Sequence, residues 1–471
     1  MHLTSLRFRP AFWPFAAAGL ILCSCSVGPD YQKPDVAQPK AWSARDAGAE
    51  PWPSQSWWQG FSSPRLNSLM EEARAANTDL GAAMARVREA DAQAKIAGAS
   101  LYPNISAGGG ESRQRSNTTT PRSGNRPAGV ETLSGAFSAS YELDFWGKYA
   151  DAADAALATA RASRYDWQTA VLTIESNVAN TFFAVASLND RIAVARDNLA
   201  IALSVLDAVK ARAEAGTASA LDVAQQESVV AQQRAALPPL TQQLRQNSIA
   251  LAVLVGRLPE QMADPGDSLA GITLPGVGAG LPAELLLRRP DVQSAEAQLM
   301  AANANIKAAE AAWFPDLKLS AQFGWQSASL GKAFDPQSVL YSLAGSVTQP
   351  IFSGGALEGG VEYQKARFEE LKQTYRKSVL SAFGDVETAM VTADMTSAQE
   401  DAQRAAVATA ARAYEISRAQ LMGGTIDIVT MLNTQRTLFQ AQDQLLQVQL
   451  AHAQAVVGLF RALGGGWQAG A

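Results

Sequence analysis

From Thr132 to Phe145 the chain alternates: Leu133, Phe137, Ala139, Tyr141, Leu143 and Phe145 are apolar, while Thr132, Ser134, Ser138, Ser140, Glu142 and Asp144 are polar. A period of two predicts a half-buried strand. The same alternation runs through Leu317, Leu319, Ala321, Phe323 and Trp325, and again through Val339, Tyr341, Leu343 and Val347; Asn104 to Arg115 carries it more weakly. Each strand is about 10 residues long, the length a tilted strand needs to cross a bilayer. Between the strands the period changes. Lys148 to Ala215 holds neither Gly nor Pro, and Val171, Val178, Val185, Ile192, Leu199 and Leu206 recur every seven residues, with Ile174, Leu188 and Val209 as companions. Such heptads predict a long helix packed along a partner helix, on the order of 100 Å if continuous, and therefore an elongated object. Leu432, Phe439, Leu446 and Phe460 keep the spacing near the C-terminus. Pro238-Pro239 is expected to break the helix that returns from the first of these, because proline removes a donor and clashes with the preceding turn.

The pattern occurs twice. Ala90, Ala92, Lys95, Ala97, Ala99 and Pro103 meet Ala302, Ala304, Lys307, Ala309, Ala311 and Pro315 at an offset of 212. Further on the offset is 208, pairing Val178 with Val386 and Gly216-Thr217 with Gly424-Thr425. A repeat of this size means a tandem duplication. We place a first repeat at 65–256, with a β-hairpin near 103–145 and a helical hairpin near 148–255, and a second at 291–464, with hairpins near 315–351 and 361–463. Residues 257–290, rich in Pro and Gly, form the linker; 25–64 is an extended N-terminal segment and 465–471 a tail.

Composition narrows the function. With 39 Lys+Arg against 44 Asp+Glu, the net charge of −5 offers no basic footprint for nucleic acid. Two His and two Cys cannot furnish a zinc site without help from carboxylates. His452 has Gln449 and Val456 beside it on its helix and no nucleophile in reach of the pattern, and no phosphate loop appears, so neither an enzyme nor a cofactor is expected. Arg7 and Arg9 followed by the apolar run Ala11 to Leu22 read as an export signal over residues 1–24, too short to span a bilayer. Leu22-Cys23-Ser24-Cys25 resembles a bacterial lipoprotein box, which implies a lipid on Cys25; the plainer alternative is a signal with two incidental cysteines. In lipoproteins, Ser26 rather than Asp after that cysteine implies sorting to the outer membrane. Acyl chains on one residue would supply the two signals that stable anchoring needs.

Four strands would leave two unpaired edges in hydrocarbon, and barrels begin at about eight strands, so one chain in a bilayer must share its wall with copies of itself. Three copies give twelve strands and room for a pore. The alternative is a soluble sheet, which also alternates.

The chain resembles the TolC-like outer-membrane efflux factor family, lipoprotein branch. The matching segments are Cys25-Ser26-Val27-Gly28-Pro29-Asp30-Tyr31, Trp57-Trp58 with Phe61, Tyr141 to Gly147, Leu281 to Val292 with its Leu-Arg-Arg-Pro-Asp core, Gln349-Pro350-Ile351-Phe352, Gln435-Arg436 with Leu438-Phe439, and Ala462 to Trp467. The resemblance implies an α+β, mostly α homotrimer: a 12-stranded outer-membrane β-barrel continued by a 12-helix periplasmic α-barrel, with a mixed α/β equatorial region. It implies the passive exit duct of a tripartite pump of the resistance-nodulation-division type, carrying small toxic compounds, with a periplasmic adaptor and an inner-membrane pump as partners. The alternatives are a duct for type I protein secretion and a non-conducting periplasmic scaffold lipoprotein.

Gly216, Thr217, Gly424 and Thr425 stand where each helical hairpin turns. By resemblance these tips face the adaptor; the plainer role is helix capping alone. Asp222 and Asp427, just past the tips, are candidate acids for a charged entrance ring. Relatives carry Asp before Ala-Gln-Arg and a Tyr-Arg pair below the tip, where this chain has Asn433 and Leu421-Met422. We therefore expect an entrance closed partly by Leu421 and Met422 as an apolar constriction, with Asn433 either at the gate or merely packed among helices.

Overall fold

A computed structural model describes residues 27–43, 52–114, 130–262, 266–278 and 282–468. The signal segment and Cys25 lie outside the described residues. Among the described residues, eight α-helices and four strands follow in the order α1 (Pro64–Ala76), α2 (Thr78–Ala99), β1 (Asn104–Gln114), β2 (Val130–Leu143), α3 (Lys148–Glu214), α4 (Ala220–Leu254), α5 (Pro282–Arg288), α6 (Pro290–Ala311), β3 (Asp316–Ser327), β4 (Val339–Thr348), α7 (Ala356–Met422) and α8 (Ile428–Ala462). No helix among the described residues is long and apolar enough to cross a membrane. The chain divides into two compact units, one of residues 1–33, 89–161 and 297–373, the other of 34–88, 162–296 and 374–471.

The first unit holds a single sheet in the order β1-β2-β3-β4, all antiparallel. The two sequence hairpins are thus fused by pairing of β2 with β3, which no local pattern announces. Register aligns the apolar residues: Ile105, Ala139, Ala321 and Leu343 form one row, and Ala107, Phe137, Phe323 and Tyr341 the next. Asn104, Ser140, Ser320 and Ala344, then Ser106, Ser138, Gln322 and Ser342, form rows of the opposite parity. Because side chains alternate across a strand, one face is apolar and the other small and polar. Most of the large apolar side chains on the first face are exposed. β1 and β4 are edges.

β2 ends two residues before the alternation does. Asp144, which reads as another outward polar residue, instead accepts the N–H groups of Tyr149 and Ala150 at 3.1 and 2.7 Å and satisfies the open first turn of α3. Beside it Trp146 stacks on Phe314 at 4.8 Å and donates to the Pro315 carbonyl, while Lys148 bridges Glu142 and Asp316. The sheet's base is therefore tied across both repeats. The N-terminal strap lies in the same unit: Val27 donates to the Trp146 carbonyl, Asn303 donates to that of Pro29, and Lys307 pairs with Asp30.

The second unit is built on an aromatic cluster. Trp57, Trp58 and Phe61 are buried; Trp57 stacks on Phe460 at 5.1 Å and Phe61 meets Phe183 at 5.0 Å. Full burial of one such ring contributes on the order of 1.5–3 kcal/mol. Within the cluster Glu175 accepts from Arg74 at 2.6 Å and from the Trp57 indole at 3.4 Å. Burial pushes its carboxyl up and the Arg74 guanidinium pulls against that shift. The Leu-Arg-Arg-Pro-Asp segment is fixed by Arg289, which forms ion pairs with Asp291 and Asp385 and donates to the Ala462 carbonyl at the end of α8. Just beyond, Gly464, Gly465 and Gly466 all take positive φ, and at each a Cβ would overlap Arg288, Leu172 or Ser54.

Of the heptad residues of α3, Ile174, Val178, Val185, Leu188, Ile192, Leu206 and Val209 are buried, while Val171 and Leu199 are half-buried. One expectation fails. Pro238 and Pro239 sit inside α4, which runs on from Ala220 to Leu254. A proline in a helix interior costs about 3 kcal/mol or more. Directly after the pair, Leu240 and Leu244 are buried against Val185, Leu188, Ile192 and Ala195 of α3, so packing along the partner helix holds the segment helical despite the missing donors. Gly359 and Gly360 likewise fall within α7, which begins at Ala356 rather than near 361.

Candidate functional site: the helical hairpin tips

Both tips lie in the second unit and are built alike. Gly216 and Gly424 take φ of 75° and 71°, the left-handed region that costs a residue with a Cβ about 1–2 kcal/mol. Gly216 N donates to the Ala213 carbonyl and Thr217 N to that of Arg212; Gly424 N donates to Leu421 and Thr425 N to Gln420. Each threonine hydroxyl repeats its own N–H bond, to Arg212 at 3.0 Å and to Gln420 at 3.1 Å. The glycine and threonine together close the last turn of the long helix, satisfying carbonyls that would otherwise be orphaned.

The acids past the tips are caps. Ser219 and Asp222 form a capping box: Asp222 N donates to the serine hydroxyl at 3.2 Å, and the Asp222 carboxylate accepts Ser219 N at 2.7 Å. At the other tip Asp427 itself is the N-cap, accepting Thr430 N at 2.7 Å. The backbone N–H and the side chain of Thr430 hold the Asp427 carboxyl below the usual carboxylate range. Asp427 is exposed and Asp222 half-buried, and each stands at a helix N-terminus, where the backbone N–H groups favour an acidic side chain.

Leu421 and Met422, paired in the expected constriction, part company. Leu421 is 7% exposed and packs in a cluster with Val209, Val229, Tyr414, Met431 and Leu432, whereas Met422 is 70% exposed. A 100° step per residue turns neighbours away from each other. Asn433 is exposed, and its carbonyl accepts the Thr437 hydroxyl. The pattern reading missed two features here. Arg212 donates to the Leu421 carbonyl at 3.0 Å, linking the first hairpin to the second. Leu221 and Val429, 64% and 45% exposed, stand at matching places in the first turns of α4 and α8. Since 429 minus 221 is again 208, the repeat offset could have revealed that pair.

Two hairpins with one turn design, in a chain whose sheet has an apolar face and, among the described residues, open edges, define a duplicated outer-membrane channel protein. The chain matches the outer membrane efflux protein family over residues 69–257 and 281–465. It belongs to that family. It is 42% identical over 461 residues to the pyoverdine export outer membrane protein OpmQ of Pseudomonas aeruginosa, covering 96% of each chain. It is 33% identical over 464 residues to the toluene efflux pump outer membrane protein TtgF of Pseudomonas putida, again covering 96% of each. Among solved structures, the open state of the Neisseria gonorrhoeae MtrE outer membrane channel superposes with a TM-score of 0.86 at 28% identity, covering 94% of this chain and 98% of that one. The fold is that of the trimeric TolC-like channels, and the chain is an efflux channel of the outer membrane.

Proposed function

We propose that this channel acts as a passive exit duct whose two tips receive a periplasmic adaptor, and that Met422 supplies its apolar constriction. The carrying observation is the tip geometry: the same left-handed glycine turn is built twice in one chain, with Met422 exposed beside one of them. Met422 leaves 70% of its surface exposed beside a charged cap, and a flexible apolar side chain suits an opening that must widen. Leu421 is removed from the gate because it serves the helix core, and Asp222 and Asp427 are assigned to fixing the first turns of α4 and α8. Asn433 is left as a solvated helix residue. Energy comes from an inner-membrane pump of the resistance-nodulation-division type, acting through the adaptor. Relatives are named for pyoverdine, for toluene and for a cation, which supports a duct that takes what its pump delivers. A lipid on Cys25 would hold the strap of residues 27–33 to the membrane.

Single-channel recording in planar bilayers tests this reading. The purified protein should conduct, and Met422→Ala should open more often or to a larger conductance, while Leu421→Ala should instead lower stability by about 2–5 kcal/mol. Absence of channels from an intact trimer would refute the duct, and an unchanged Met422→Ala trace would remove the constriction. Loss of palmitate labelling in Cys25→Ser checks the anchor.

A further inference from the structure

We propose that a cavity of about 590 Å³, formed by α3, α4 and the inter-repeat linker, binds an amphiphilic organic anion. Its volume is within the roughly 300–1,000 Å³ of small-molecule sites. Ile192 of α3 and Leu244 of α4 lie at its floor, both buried in the apolar cluster that carries the two helices past Pro238 and Pro239, and Met262 of the linker adds a third apolar wall. Arg196 and Arg245, one from each helix, line the same space, with Ser248 as a neutral donor.

Three observations point to an anion. Among the described residues neither arginine makes an ion pair or a hydrogen bond, although arginines elsewhere in this unit, such as Arg191, Arg257 and Arg289, are paired. No carboxylate lines the cavity among the described residues. Both arginines are exposed while Ile192 and Leu244 are buried, so one region presents cationic donors and another apolar surface. Guanidinium forks match carboxylate or sulfonate oxygens in pairs, and an attached apolar body would cover Ile192 and Leu244. A simple anion would leave the floor open and a neutral apolar molecule would leave both forks unused. The fit is to a molecule with both parts. The site is independent of the tips and of whatever docks there.

The experiment uses the full-length protein in nanodiscs of neutral phosphatidylcholine, with a diazirine-bearing naphthalene sulfonate as probe and its trimethylammonium analogue as control. After photolysis, mass spectrometry should place the sulfonate adducts in residues 189–196 and 241–249. Arg196→Gln with Arg245→Gln should weaken that labelling about five- to tenfold, without altering trimer content. Equal labelling by the cationic analogue, or undiminished labelling of the double variant, would mean partition into apolar surface alone and overturn the proposal.

Discussion

The two tips share a backbone and differ in chemistry. Matched at an offset of 208, Arg212 stands against Gln420, Glu214 against Met422, Ser219 against Asp427 and Asp222 against Thr430. The first capping device places the hydroxyl at the cap and the acid three residues on; the second places the acid at the cap and the hydroxyl three residues on. Either order satisfies amide groups of the first turn, because the requirement is an acceptor near those N–H groups and not a particular residue. Only glycine and threonine are held in common at the turn, and there the reason is geometric: positive φ at one position and a hydroxyl within reach of the carbonyl five residues back. Duplication has kept the turn and released the surface around it.

The largest effect should come from attacking what is shared. Gly216→Val together with Gly424→Val imposes about 1–2 kcal/mol of backbone strain at each tip. A Cβ at either place meets nothing within 4 Å, so the strain reshapes the turn without disturbing helix packing. Crosslinking to the adaptor should fall strongly while trimer content on native gels is retained; loss of the trimer with crosslinking intact would reverse the assignment of the tips.

A smaller effect should follow from what the first tip alone possesses. Arg212→Met removes the donor to the Leu421 carbonyl and with it the tie between the hairpins. The side chain is partly exposed, so the cost should be about 1 kcal/mol, visible as more frequent channel opening; Gln420→Met at the matching position should leave opening unchanged. Equal effects from both would mean that the tips are functionally equivalent after all.

The smallest effect distinguishes the caps. Asp427 has a folded-state pKa lowered by Thr430, so its contribution is present above the unfolded carboxyl range, about 3.9, and is lost as pH falls through the lower folded value. Hydrogen exchange in residues 426–432 should therefore quicken on acidification below about pH 4. Asp427→Asn still accepts the N–H but cannot titrate, and its exchange should show no such step. A step of equal size in both proteins would assign it to another group.

Much of this was legible in the chain because its causes are local. Alternation at 133–143 and 317–325 gave strand faces that the register then aligned, since a period of two leaves only two choices of side. The heptads of α3 named its buried residues because a helix turns at a fixed rate. Gly216 and Gly424 marked the tips because few other residues tolerate the conformation.

What the tertiary structure decided involves partners distant in sequence. Fusion of the hairpins needs β2 to find β3 across more than 150 residues, and alternation in each strand is compatible with either edge. Asp144 turns from the strand face to cap α3, and Leu421 turns into the core while Met422 turns out, for reasons set by neighbours that no short window contains. Pro238-Pro239 shows the limit most plainly: the local rule gave the right cost and the wrong outcome, because burial of Leu240 and Leu244 against α3 outweighs two missing hydrogen bonds. Local geometry fixes what a segment can be; only packing, summed over residues far apart in the chain, selects among those states.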